Sequence, residues 1–116
     1  MKKTLILLTF FLGFIFGKEY LLFSDNNEFL GCLNCGRYQS DSVCNKYGTY
    51  GSKYNSKSIW NKYGTYGGKY SLYSPFNKYT STPPTFYTTS NKTGKLTVNE
   101  SLTYAFNPYR VKACFP

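Results

Sequence analysis

Histidine is absent from the 116 residues, and acidic residues number only five. The first absence removes the commonest general base, the usual partner of a Ser or Cys nucleophile, and mixed Cys/His zinc sites. The acids are Glu19, Asp25, Glu28, Asp41 and Glu100. Their one close pair, Asp25 and Glu28, falls in a turn-forming cluster, where solvated turn residues are expected rather than a two-carboxylate hydrolase. No S-x-x-K, G-x-S-x-G or phosphate-cradling glycine loop occurs, so Ser/Lys and nucleotide chemistry also lack a motif. Long hydrophobic runs are missing too: the longest spans 12 residues, 5–16, well short of the roughly 20 that cross a membrane as a helix.

That one run opens the chain. In MKKTLILLTFFLGFIFG, Lys2 and Lys3 precede the apolar stretch and Gly17 follows it. Positive start, short apolar middle and small residue at the end are the pattern of a bacterial secretory signal. An uncleaved anchor is the alternative. Cleavage after Gly17 leaves 18–116, one small domain whose net charge drops from +9 to +7 with the loss of two lysines. The expected location is outside the cytoplasm: periplasmic, cell-surface or secreted, with no membrane span after cleavage.

An exported chain with four cysteines, Cys32, Cys35, Cys44 and Cys114, is expected to carry two disulfides. Three pairings are open. The expected one is Cys35 with Cys44 and Cys32 with Cys114, because a bond within Cys32-Leu33-Asn34-Cys35 closes a tight ring that structural domains usually avoid. That C-x-x-C spacing also serves redox sites and zinc knuckles. The redox reading needs a strand-to-helix context that the glycine-rich sequence after Cys35 does not offer, and an oxidising compartment works against four free thiolates on zinc. No cofactor and no metal are expected.

Self-alignment gives a 16-residue period across 36–83. The units read 36-GRYQSDSVCNKYGTYG-51, 52-SKYNSKSIWNKYGTYG-67 and 68-GKYSLYSPFNKYTSTP-83. Ser42, Ser58 and Ser74 share a column, as do Asn45, Asn61 and Asn77, and one bulky column reads Cys44, Trp60, Phe76. Each unit is too short and too rich in Gly, Ser and Asn for a long helix or strand. The local expectation is a recurrent Ser capping one helical turn, with Gly48 or Gly64 as a left-handed exit into Tyr-rich extended chain. Rings of successive units are expected to pack on one another, since one unit alone buries only one or two.

On either side the sequence predicts hairpin arms. Upstream, 19-EYLLF-23 and 28-EFLGCL-33 flank a turn at Asp25-Asn26-Asn27; downstream, 85-TFYTT-89 and 95-KLTV-98 flank 90-SNKTG-94, and 102-LTYAF-106 adds a strand. The run from 30-LGCLNCGRYQSDSVCNKYGTYGSKY-54 through 58-SIWNKYGTYGGKYSLYSPFNKY-79 resembles a family of exported bacterial proteins with an LGxL segment followed by tandem S-x-S-[IV]-x-N-x-Y-G-x-Y-G units. The likeness covers about half the chain. It implies export and a repeat architecture, and carries no mechanism.

The basic residues are the strongest functional signal. Arg37, Lys46, Lys53, Lys57, Lys62, Lys69 and Lys78 against Asp41 give the repeat block +6 of the mature +7, and nine of the 13 tyrosines share the block. Periodic Lys beside periodic Tyr makes a face that attracts anionic polymers and stacks on sugar rings or bases. Export sets nucleic acid aside in favour of envelope polymers or glycans. The competing reading has Lys keeping the surface soluble while Tyr supplies packing.

The sequence therefore predicts a mainly β and irregular, disulfide-stapled domain: a signal peptide over 1–17, an N-terminal β arm over 18–35, three 16-residue units over 36–83 and a C-terminal β segment over 84–116. The expected function is a non-catalytic exported module that binds an anionic or glycan surface through Arg37, Lys53, Lys62, Lys69, Tyr54 and Tyr70. The alternative is a purely structural or protein-interaction domain whose repeats serve stability only. Ligand and oligomeric state stay open.

Overall fold

The computed structural model describes residues 18–89 and 91–115. The signal expected over 1–17 lies outside the described residues. Five short strands form one mixed sheet: β1 (Leu21–Phe23), β2 (Phe29–Cys32), β3 (Thr85–Tyr87), β4 (Lys92–Leu96) and β5 (Ala105–Phe106), in the order β2-β1-β3-β4-β5.

Both expected hairpins form. β1 and β2 pair antiparallel, Leu21 opposite Cys32, around a turn in which Asn27 takes a left-handed φ of 68°. β3 and β4 pair antiparallel, Thr85 opposite Lys95 and Phe86 opposite Gly94. The downstream turn is earlier and tighter than the sequence suggested: Thr88 N–H donates to the Asn91 carbonyl at 2.8 Å, and β4 has begun by Lys92. Gly94 is thus a strand residue, not a turn residue. A β-carbon there would lie 2.9 Å from Cζ of Phe86 and 2.9 Å from the Tyr104 carbonyl, so the close approach of the Phe86 ring and of the chain just before β5 favours glycine. The strand expected over 102–106 shortens to Ala105–Phe106 and runs parallel to β4.

The two hairpins become one sheet because β1 also pairs antiparallel with β3, Leu22 opposite Phe86. The chain leaves the sheet after β2, builds the repeat block, and returns as β3. Three ties hold the block beside the sheet. Cys32 N–H donates to the Asp41 carbonyl at 2.7 Å and Val43 N–H to the Cys32 carbonyl at 3.0 Å, joining β2 to the first unit. Asn26 donates to the Tyr66 hydroxyl at 3.2 Å, and Lys57 pairs with Glu28, joining the β1–β2 turn to the second. Val98 N–H donates to the Pro75 carbonyl at 2.8 Å and Asn99 Nδ2 to the Thr80 carbonyl at 2.9 Å, joining the segment after β4 to the third.

Within the block the local structure differs from the capped helical turn. The chain is a ladder of turns set head to tail, in which each residue that closes one turn with its N–H opens the next with its carbonyl. From Gly36 the bonds run through Gln39, Ser42, Asn45, Gly48 and Ser52, then Asn55, Ser58, Asn61, Gly64 and Gly68, then Ser71, Ser74, Asn77 and Thr80, all at 3.0–3.4 Å. Four three-residue steps and one four-residue step make each of the first two 16-residue units, and the third has the four three-residue steps alone, so the hydrogen bonds repeat with the period of the sequence.

Ser and Asn occupy the junctions because their short side chains accept the N–H two residues on and lock the turn. Ser58 Oγ takes Trp60 N–H at 3.0 Å, and Asn61 Oδ1 takes Tyr63 N–H at 3.0 Å. The amide of each column Asn also reaches back six residues: Asn45 Nδ2 to the Gln39 carbonyl, Asn61 to Asn55 and Asn77 to Ser71, at 2.9–3.1 Å. Gly48 and Gly64 are not left-handed exits, since Gly31 is the glycine with positive φ among the described residues. The glycines that the ladder needs are Gly51 and Gly67. A β-carbon on them would lie 2.1 Å from the Asn45 carbonyl oxygen and 2.2 Å from that of Asn61.

The core lies between sheet and ladder. Leu22, Leu30 and Leu96 from the sheet and Val43 and Ile59 from the units are fully buried, with Val111 beside them. A second apolar layer runs down the bulky column: Trp60 stacks on Phe76 at 5.5 Å between centroids, and the C-terminal segment covers both, Phe115 on Trp60 at 5.7 Å and Tyr109 on Phe76 at 5.3 Å.

That segment also corrects the disulfides. The observed pairs are Cys32–Cys35 and Cys44–Cys114, with Cα separations of 5.5 and 4.8 Å, in place of Cys35 with Cys44 and Cys32 with Cys114. Cys44 occupies the same column as Trp60 and Phe76, so the C-terminal strip that lies over those rings brings Cys114 to it. Cys32, at the end of β2, is left with Cys35, which the bend after the strand turns back towards it.

Candidate functional site

Six Arg/Lys-Tyr dipeptides lie at the middle two positions of six turns: 36–39, 45–48, 52–55, 61–64, 68–71 and 77–80. These corners point away from the core. Tyr38, Tyr54 and Tyr70 form one row at 82–85% exposure, and Tyr47, Tyr63 and Tyr79 a second at 81–92%. Each row repeats with the period of the ladder, which holds the spacing rigid from within while the side chains face solvent.

The cations follow the same two rows, Arg37, Lys53 and Lys69 in the first and Lys46, Lys62 and Lys78 in the second, all exposed. Three lysines lie over the ring that follows them: Lys53 on Tyr54 and Lys69 on Tyr70 at 5.5 Å, and Lys78 on Tyr79 at 5.3 Å, within reach of a cation–π attraction. The seventh cation of the block, Lys57, precedes Ser58 instead of a tyrosine and bonds to Glu28, which raises its pKa above the ordinary lysine value. The cation outside the rows is the one used internally.

The expectation that rings of successive units pack on one another holds for Tyr66 on Tyr73 and Trp60 on Phe76, while the six tyrosines of the rows stay outside that packing. Tyr50 and Tyr73 are half-buried, against Phe29 and Tyr66 respectively, and Tyr66 is buried; the other six tyrosines of the block contribute little to packing. The column of Val43, Ile59 and Pro75, with Trp60 and Phe76, does that work.

At the near end of the first row a cleft of about 380 Å³ opens between the first two units and the C-terminal strip. Arg37, Lys46 and Lys53 ring it, Tyr54 and Trp60 wall it, and the Cys44–Cys114 disulfide closes its base; no carboxylate lines it. The cleft gathers Arg37, Lys53 and Tyr54 from the residues singled out in the sequence. Lys62, Lys69 and Tyr70 lie outside it, on the rows. Lys46, Lys78, Trp60 and the tyrosines Tyr38, Tyr47, Tyr63 and Tyr79 belong to the same surface and were not singled out. The signal for most of them was there: Arg/Lys-Tyr dipeptides alternate at spacings of nine and seven residues, two per unit.

Chemically the surface offers positive charge, flat rings and hydroxyls. All four cysteines are in disulfides. Glu19 lies near the Cys32–Cys35 sulfurs, within 4.8 Å, but oxidised sulfur is not a thiolate ligand, so the group does not assemble a zinc site. Among the described residues no helix is long and apolar enough to cross a membrane. The chain matches no family model, no curated protein and no solved structure.

Proposed function

We propose that this protein is an exported, non-catalytic binding module that holds an anionic polysaccharide or other acidic envelope polymer along its two Arg/Lys-Tyr rows, with the cleft at Arg37, Lys46 and Lys53 as the anchoring subsite. The single observation that carries this reading is the outward presentation of all six dipeptides in register. Six tyrosines more than 80% exposed forgo burial that their rings would otherwise gain, and a repeated aromatic surface of this kind belongs to an interaction site. Sugar rings stack on such faces, and carboxylate or phosphate groups along a polymer meet a cation beside each ring. Two disulfides suit an oxidising compartment.

The test is retention of the purified protein on peptidoglycan, teichoic acid and lipopolysaccharide over a salt series. Retention at low salt that falls steeply with added salt, and that Lys53→Gln, Lys62→Gln and Lys69→Gln together abolish without loss of fold, is the expected result. Absence of retention on all three at low salt overturns the reading and favours a purely structural role for the repeats.

A further inference from the structure

A second cavity, of about 800 Å³, lies between the sheet and the start of the C-terminal strip, and meets the anchoring cleft only at Ala113. Its floor is aromatic and continuous: Tyr20 meets Phe86 edge to face at 6.1 Å, and Phe86 meets Phe106 at 6.1 Å in the same manner. Val111, almost fully buried, completes it. The volume lies within the range of small-ligand sites, about 300–1,000 Å³.

Two cations stand at its edge, Arg110 and Lys112, and no acidic residue lines it. Among the described residues the ion pair is Lys57 with Glu28, so neither rim cation has a carboxylate partner. The guanidinium carbon of Arg110 sits 6.0 Å from the centre of the Phe106 ring, which holds a charge over the aromatic end of the cavity. Glu19, next to the lining residue Tyr20, lies near the Cys32 and Cys35 sulfurs.

An apolar trough with unpaired positive charge at its mouth is complementary to one chemical class. We infer that this cavity binds a single-chain amphiphilic anion, its alkyl chain along Tyr20, Phe86 and Phe106 and its carboxylate or phosphate head on Arg110 and Lys112. The inference stands apart from the Arg/Lys-Tyr rows: it uses other cations, other rings and a ligand recognised by a tail as well as a charge.

The experiment is calorimetric titration of the purified, fully oxidised chain with laurate, dodecyltrimethylammonium and dodecyl maltoside, each below its micelle concentration. Laurate is expected to bind one per chain and at least about tenfold more tightly than the cationic or neutral amphiphile. Lengthening the carboxylate is expected to tighten binding about threefold to fourfold per methylene until the trough is filled. Arg110→Gln with Lys112→Gln should weaken laurate binding about tenfold or more at unchanged circular dichroism and thermal midpoint. The triple variant Lys53→Gln, Lys62→Gln, Lys69→Gln should leave it unaltered.

Equal affinity for all three amphiphiles, or no dependence on chain length, overturns the inference as non-specific adsorption. Loss of laurate binding in the triple variant overturns it in favour of the general basic field of the rows. Binding to vesicles containing phosphatidylglycerol with none to free laurate overturns it in favour of a bilayer surface.

Discussion

The indole Nε1–H of Trp60 donates a 2.7 Å hydrogen bond to the main-chain carbonyl of Val43, 17 residues earlier in the chain. This is one repeat plus one residue, so the bond ties the second unit to the first across the stack while the ring lies between Phe76 and Phe115. Trp60→Ala is expected to cost about 3–5 kcal/mol, because both stacking and the hydrogen bond go. Trp60→Phe, which keeps a ring but strips the Val43 carbonyl of its donor, should cost about 1–2 kcal/mol. Urea unfolding checks the order. An unchanged midpoint for Trp60→Ala would show that the units are not held together through this column.

The ladder makes Asn61 a residue with two jobs. Its Oδ1 accepts from Tyr63 N–H at 3.0 Å and its Nδ2 donates to the Asn55 carbonyl at 3.1 Å. Asn61→Ala should destabilise by about 1–2 kcal/mol, and Asn61→Asp, which keeps the acceptor and loses the donor, by less. Equilibrium unfolding of the two variants measures this directly.

Glycine tolerance should differ sharply by position. At Gly67 a β-carbon falls 2.2 Å from the Asn61 carbonyl oxygen and 2.6 Å from that of Ile59, both main chain, whereas at Gly36 nothing lies within 4 Å. Gly67→Ala is expected to destabilise by about 3 kcal/mol or more, Gly36→Ala by less than about 0.5 kcal/mol. Comparable thermal midpoints for the two would contradict the close passage of the chain at Gly67.

Non-reducing peptide mapping should return Cys32 with Cys35 and Cys44 with Cys114. The two bonds span 3 and 70 residues of sequence. On the chain-entropy account, removing the long one by Cys44→Ala with Cys114→Ala should cost about 4 kcal/mol and removing the short one about 2 kcal/mol. The reverse order in unfolding free energy would mean that the C-terminal strip is held mainly by its aromatic contacts.

Tyrosine should separate into two populations. Tyr54→Ala with Tyr70→Ala, both rings more than 80% exposed, should change stability by less than about 0.5 kcal/mol while lowering retention on the acidic polymer. Tyr66→Phe, which loses the 3.2 Å bond from Asn26, should cost about 1 kcal/mol and leave retention alone. If the exposed pair proves as destabilising as Tyr66→Phe, those rings are structural and the binding surface lies elsewhere.

Much of the local design was legible. The hairpins at Asp25-Asn26-Asn27 and after Thr85 announced themselves through turn residues between short apolar runs, and the 16-residue period was visible because hydrogen bonding at Ser58 or Asn61 is local and recurs wherever the residue recurs. The conformation inside the period was harder to read. A Ser oxygen that accepts an N–H two residues ahead signals a helix cap and a turn alike, and only the continuation of the chain as another turn decides between them. Gly48 and Gly64 were expected as left-handed exits, yet the glycines that the ladder requires are Gly51 and Gly67, through the proximity of the Asn45 and Asn61 carbonyls.

The sequence by itself determined the turn spacing, the mainly β and irregular character and the grouping of cation with tyrosine, since each depends on bonds between residues a few positions apart. Tertiary structure decided what those pieces meet. The pairing of β1 with β3 merged two hairpins into one sheet, and the docking of the C-terminal strip over Trp60 and Phe76 chose Cys114 as the partner of Cys44. The facing of each corner, inward for Val43 and Ile59 and outward for Tyr47 and Tyr63, follows from which side of the ladder the sheet covers. Those outcomes depend on burial between segments far apart in the chain, and a period of Ser, Asn and Gly carries no information about what lies across from it.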